Sequence, residues 1–201
     1  LTMSASGTAT NPARLLGYST ARGDGGRPTL TTTSAISILI LSGSSQLVDG
    51  FIIDGQSTAG QVYGVFANTG SATLRNIKVL NTSQGGGQPI RVDAADSIVE
   101  SCEVTNALAG TALLASVRSV TIRACYIHDT TGTGIAGTGV GIDIVGCVLA
   151  NCSGASGDAI SLTGAAGHHV SGCTIYNSGR DGIRATGAWR RRGSSSLRQL
   201  N

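Results

Sequence analysis

Ile122-Arg123-Ala124-Cys125-Tyr126-Ile127-His128-Asp129 runs apolar residue, Cys three positions on, a second apolar residue two beyond, and an acid two further. Five other stretches carry the same phrase: Leu47–Asp54 with Gly50 and Ile52, Leu74–Asn81 with Ile77 and Val79, Val99–Asn106 with Cys102 and Val104, Ile144–Asn151 with Cys147 and Leu149, and Val170–Asn177 with Cys173 and Ile175. Their closing Asn or Asp recurs after 27, 25, 23, 22 and 26 residues. A period in that range marks a solenoid, whose units bury a core only by stacking on one another.

Within one phrase the last two apolar positions are two apart and share a strand face, whereas the first lies three earlier. That odd step requires a turn or bulge between two short extended segments. The closing Asn or Asp suits a corner, since its side chain bonds nearby backbone and tolerates left-handed φ. After a variable loop each copy resumes with a small and an apolar residue: Gly64-Val65, Pro89-Ile90, Gly134-Ile135, Ala159-Ile160 and Gly182-Ile183, with Thr111-Ala112 as the weaker third copy. Two or three short strands per coil, without helical periodicity, predict parallel sheets stacked along an axis.

Stacking turns equivalent positions into columns. The interior column is expected to read Gly50, Ile77, Cys102, Cys125, Cys147 and Cys173, and the corner column Asp54, Asn81, Asn106, Asp129, Asn151 and Asn177, a ladder of hydrogen-bonding side chains. Outside, Arg75, Glu100 and Arg123 alternate in charge, and Lys78 neighbours Glu103. Such pairs contribute a few tenths of a kcal/mol each.

These phrases resemble the right-handed parallel β-helix superfamily, the fold of pectate lyases, other polysaccharide-degrading enzymes and phage tailspikes. The resemblance covers roughly residues 5–187, and Gly7–Tyr18 is similar to the first-rung phrase such proteins carry. The expected fold class is therefore all-β: a right-handed parallel β-helix of about eight coils over 1–187, a fragment lacking one or both caps. Earlier coils fall at Thr29–Thr33 and at the alternating Ile36, Ile38 and Ile40. The resemblance implies an extracellular, cell-surface or virion-surface protein facing polysaccharide, and a homotrimer if it is of tailspike type.

Composition agrees with an elongated domain. With 30 Gly, two Phe and one Trp in 201 residues, the core must be built from Val, Ile, Leu, Ala and Cys. Ala35–Leu41 is too short to span a bilayer. Net charge is +3, but four of the 14 basic residues lie in Trp189–Asn201, leaving the rest at net −1. A basic-patch argument for nucleic acid does not apply to the solenoid. Residues 188–201, breaking the repeat after Gly187, are expected to form an irregular basic tail of the kind a truncated or frame-shifted reading frame produces. The cysteines read as structural: four sit in the interior column, no C-x-x-C pair occurs, and the three histidines are scattered.

Chemistry in such a solenoid belongs to outward side chains. Asp158 precedes Ala159-Ile160 as Asp181 precedes Gly182-Ile183, so stacking sets the two carboxylates on one strip about 4.8 Å apart in backbone, with Arg180 and Arg184 beside them. The pair could share Ca²⁺, which prefers carboxylate oxygens; with Arg184 as base the set would resemble the pectate-lyase arrangement. It could serve as acid and base for glycoside hydrolysis. Or it could simply be a turn residue repeated, stabilising strand entry. Polygalacturonase signatures are absent, which weakens the hydrolase branch. His128 beside Asp129 forms a possible dyad, Tyr63, Tyr126 and Tyr176 are possible sugar platforms, and Gly85–Gly87 reads as a flexible loop. The remaining reading is a non-catalytic structural or adhesive β-helix, favoured by loops too short to wall a deep cleft.

Overall fold

The computed structural model describes residues 1–18, 26–34, 36–57, 60, 63–82, 88–108, 110–154, 157–164, 167–186 and, for backbone only, 198–200. The Gly85–Gly87 loop and all of the tail except the backbone of 198–200 lie outside the described residues. Among the described residues, three sheets of eight, seven and eight strands run along the chain, linking every third strand in sequence order except at the last step of the third sheet, where Arg198–Leu200 follows Thr174–Tyr176 after a single intervening strand. All pairings are parallel. The strands from Leu39–Leu41 to Thr174–Tyr176 form six regular turns. Thr2–Met3, Ala13–Leu16 and Thr29–Thr31 add a looser turn before them, and Ile183–Thr186 and Arg198–Leu200 add strands after them. Arg198–Leu200 pairs with Thr174–Tyr176, so this backbone continues the third sheet inside the segment expected to be an irregular tail. Among the described residues no helix is long and apolar enough to cross a membrane.

Each turn explains the odd step in its phrase. In Val99–Asn106, Val99 faces inward from the middle of the second-sheet strand Ile98–Glu100, Ser101 turns the corner at φ 52°, and Cys102 faces inward again. The same corner is held by Asn76, Ala124, Gly146 and Gly172, all with positive φ. The Asn column forms the next corner, with φ of 52–53° at Asn81, Asn106, Asp129, Asn151 and Asn177, a conformation that Asn and Asp accept most readily after Gly.

The first copy is one residue out of the expected register. Phe51, not Gly50, shares the column of Ile77: Lys78 N–H donates to the Phe51 carbonyl as Glu103 N–H donates to that of Ile77. Gly50 occupies the corner at φ 79°, where a side chain would be strained. Accordingly Val48 and Ile53, rather than Leu47 and Ile52, are buried. Size at the corner decided this register: Gly50 fits the left-handed position and Phe51 fills the interior beside Ile77. Likewise the third copy's small–apolar pair is Ala112-Leu113, since Leu113 pairs with Ile90 and Ile135.

The core is one continuous apolar column stack, and each large aliphatic side chain sealed inside it contributes about 1.5–3 kcal/mol. All five cysteines are free and buried, including Cys152 outside the interior column, which packs toward Gly134. Two of the polar residues that enter the interior are well partnered. Gln46 gives both amide hydrogens to the Met3 and Ala5 carbonyls, and Ser97 Oγ accepts from Ala72 N–H while donating to the Ala94 carbonyl.

Candidate functional site

The outward face of the first sheet is defined by register. Ile40, Phe66, Arg91, Leu114, Ala136, Ser161 and Arg184 pair one to the next and form one column. Tyr63, Gln88, Thr111 and Thr133 lie along its N-terminal side, and Asp158 and Asp181 continue that line, two residues before Ile160 and Ile183. The inference from spacing that the two acids occupy equivalent positions on adjacent coils thus agrees with the backbone: Gly134 N–H donates to the Asp158 carbonyl, and Ala159 N–H to that of Asp181.

Their side chains behave differently. Asp158 is buried, 1% exposed, while the Asp181 side chain is 54% exposed. Arg180 clamps Asp158 with two bonds, Nε to Oδ1 at 2.8 Å and Nη2 to Oδ2 at 2.5 Å. Asp181 N–H adds a third donor at 3.3 Å, and Arg184 Nη1 stands 4.0 Å away. The Arg180 guanidinium, opposing the upward push of burial, holds the Asp158 carboxyl below the usual carboxylate range. A general acid needs the opposite shift to carry its proton near neutrality. Asp158 therefore suits a charged, positioning role better than proton donation.

Calcium does not fit this donor set. Both Asp158 oxygens already accept from Arg180, a guanidinium lies where a cation would sit, and among the described residues no group of three or more His, Cys, Asp or Glu side chains converges on a metal position. His168 and His169 stay away from the strip. His168 lies in the interior column beyond Ile142, its Nδ1 accepting from Ile142 N–H at 3.3 Å, and His169 faces Asp143 at 4.0 Å on the second sheet. Burial pushes the His168 imidazole below its ordinary value.

Toward the other end of the same face stands a cluster that the sequence reading touched only at Tyr63. The Tyr63 and Phe66 rings lie 4.7 Å apart, and the Arg91 guanidinium carbon lies 5.3 Å and 5.6 Å from their centroids. Arg91 Nη1 donates to Tyr63 Oη at 2.8 Å, and Nε and Nη2 reach Asp93 Oδ2 at 2.9 and 2.8 Å. Ser116 Oγ bonds the other Asp93 oxygen from the next coil. One signal could have found it: Phe66, Arg91 and Arg184 each follow the small–apolar pair that opens the coil.

The third sheet carries the His128 group. Its Nδ1 lies 2.7 Å from Asp129 Oδ2, its Nε2 lies 3.3 Å from Glu103, and Tyr126 stacks on the ring at 4.1 Å. Lys78 holds Glu103 at 2.8 Å. With both ring nitrogens occupied by carboxylates, His128 bridges two coils and has no nitrogen turned to a substrate. Tyr126 and Tyr176 occupy different columns, as expected.

A stack of short parallel strands with a filled interior, Asn corners and function-bearing groups confined to its outer faces defines a parallel β-solenoid. The family model described as "right handed beta helix region" matches residues 63–197, and the chain belongs to that family. Searches of curated proteins and of solved structures found no match.

Proposed function

We propose that the chain is the polysaccharide-facing part of an extracellular or surface-exposed β-helix, which holds an acidic polysaccharide on the outward face of the first sheet without cleaving it. The carrying observation is the state of Asp158: buried, clamped by Arg180 and held ionised, it braces the strip while Arg184 stays 44% exposed and available to an anion. The flat run of Leu114, Ala136 and Ser161 fits a ligand lying along the axis rather than one enclosed in a cleft. A homotrimer belongs to this reading if the protein is a tailspike.

A second reading, a lyase or hydrolase using Asp158, Asp181 and Arg184, draws support from the aligned positions of the two acids. One experiment separates the two. The folded protein is incubated with polygalacturonate, alginate and a neutral glucan, and both retention and released oligosaccharide are measured. Salt-sensitive retention of the acidic polymers without product supports adhesion. Product that disappears in the Asp158→Asn/Asp181→Asn variant replaces it with the enzyme. Retention of none of the polymers refutes both.

A further inference from the structure

The Arg91 cluster is a built feature with no part in the strip around Asp158. It shares a column with Arg184, four coil steps away, which places the two guanidinium-bearing strands about 19 Å apart at the usual strand spacing. We propose that Tyr63, Phe66, Arg91 and Asp93 form a second subsite for the same acidic polysaccharide, reading one carboxylate or sulfate while Arg184 reads another further along the chain. This rests on the binding role proposed above.

Three observations carry it. First, the guanidinium is fixed in advance. Asp93 takes Nε and Nη2, Tyr63 takes Nη1, and the two rings lie against the cation. A long flexible side chain ordinarily loses rotamer freedom on capturing a ligand; here much of that ordering is already present. Second, the fork is not saturated. Arginine has five N–H donors, and the described bonds use three, leaving one hydrogen on each of Nη1 and Nη2, the pair that bidentate carboxylate or sulfate recognition employs. The side chain is 30% exposed, so this edge has access to solvent. Third, the surface between the two arginines is low and uncharged, with Leu114, Ala136 and Ser161 in the column and Thr111 and Thr133 beside it. A linear ligand can lie along that column: the Asp158 carboxylate beside Ser161 is buried and paired to Arg180, which leaves Asp181, at the Arg184 end, as the exposed acid on this line. The half-buried Tyr63 and Phe66 rings supply apolar surface for the C–H face of a sugar next to the captured anion.

The Asp93 carboxylate sets the specificity. By engaging one edge of the guanidinium it orients the other, and its negative charge disfavours densely charged polyanions more than polymers with widely spaced acids. A ligand with acids on well-separated residues matches the two arginines best.

The test compares parent, Arg91→Gln, Arg91→Lys, Arg184→Gln and the double Gln variant, each first confirmed by circular dichroism and melting temperature to be folded. Probes are acidic oligosaccharides of increasing length from polygalacturonate and alginate, together with the carboxyl-reduced neutral polymer. The long acidic chain should lose about tenfold in affinity on Arg91→Gln, the size of one charge-assisted contact. The two Gln substitutions should multiply for chains able to span four coils, while short oligosaccharides feel only one. Arg91→Lys, which keeps the charge but not the fork, should recover little. Unchanged binding of long acidic chains by a folded Arg91→Gln variant overturns the subsite and leaves the binding role standing. Failure of the parent to bind any acidic chain overturns the binding role itself. Equal affinity for the carboxyl-reduced polymer overturns anion reading by either arginine.

Discussion

Cys125→Asp places a carboxyl group in the interior column between Cys102 and Cys147, at a position 2% exposed. The native thiol tolerates the site because it stays neutral: the neighbouring Cys102 and its burial push it up to about 12. It also donates weakly to the Val99 and Arg123 carbonyls, at 3.6 and 3.4 Å. A carboxylate there would face those two carbonyl oxygens with no cation near, so the folded state must keep the new group protonated. Keeping a carboxyl neutral at pH 7, when its unfolded value is near 3.9, costs about 4 kcal/mol. Domains of this kind hold a total of about 5–15 kcal/mol, and a coil lost mid-stack removes two interfaces at once. The folded-state pKa of the introduced group is raised, so the folded state binds more protons than the unfolded state and the deficit against the parent grows as pH rises. It should be small near pH 4 and increase by about 1.4 kcal/mol per unit above that until the folded value is passed. Cys125→Ser, whose hydroxyl can donate to the Arg123 carbonyl, should cost only about 1 kcal/mol. Urea midpoints at pH 4, 5.5 and 7, followed by far-ultraviolet circular dichroism, measure all three proteins. A Cys125→Asp protein with the parent's midpoint at pH 7 would refute the inward assignment of the whole column.

Gly132→Ala should destabilise by roughly 1–3 kcal/mol or more, because its Cβ would fall 1.7 Å from the Gly110 carbonyl oxygen on the preceding coil; an unchanged thermal midpoint counts against that close approach. The His168 imidazole is depressed from 6.5 by burial, so the parent should lose stability as pH falls below 6.5 toward the folded value, and His168→Gln, which can still accept from Ile142 N–H, should lack that part of the slope in paired denaturation curves. Asp129→Asn addresses the corner ladder: it gives the side chain a hydrogen for Asn106 Oδ1 but removes the charge facing His128. The Asp129 carboxyl is held low by His128 and Asn151, so its contribution is present above 3.8 and fades on acidification. The variant should therefore match the parent to within a few tenths of a kcal/mol at pH 7 and lose less on going to pH 3; a steeper acid loss contradicts the assigned bonds.

The ladder also shows how far a sequence can be read. Asn81 donates to Asp54, Asn106 to Asn81, Asn151 to Asp129 and Asn177 to Asn151, always from the later coil to the earlier. The run is interrupted between Asn106 and Asp129 because an ionised carboxylate has no hydrogen to give. Asp54 and Asp129 can only receive, so each begins a segment, and His128 engages the remaining Asp129 oxygen. Column membership was legible from spacing for the copies after the first, whereas Asp54, expected opposite Asn81, pairs with Leu80 and only its carboxylate reaches the Asn81 amide. The interruption follows from residue type once the direction of donation is known. Register in the first copy was not legible, since Leu47 and Val48, or Ile52 and Ile53, satisfy an apolar pattern equally. Only the preference of Gly50 for the left-handed corner, with Phe51 filling the interior, resolves it. Among the outward charges, Arg123 pairs with Glu100 and Lys78 with Glu103 as the columns imply, while Arg75 turns to Asp49 at 2.6 Å.

The candidate site was legible in position and not in state, for a reason that follows from the solenoid itself. Interior columns are constrained by size and polarity at every coil, so one misfit residue disturbs both neighbours, and the pattern repeats strongly enough to be read. Outward columns carry no such constraint, and their chemistry depends on which rotamers meet across coils 22 to 28 residues apart in sequence. Asp158 and Asp181 are equivalent by spacing, yet Arg180 makes its two close bonds to Asp158 and stands 4.0 Å from Asp181. The two acids therefore differ in state, one buried and clamped, the other more than half exposed. Arg91 reverses the case: unremarkable beside Pro89-Ile90 in sequence, it gains its setting from Tyr63, 28 residues earlier, and from the hydroxyl of Ser116 on the following coil, which steadies Asp93. A polymer lying along the axis meets residues from successive coils in the order in which they stack. If the proposed binding role holds, the residues that follow each small–apolar pair are the ones whose exchange should alter the preference of this face.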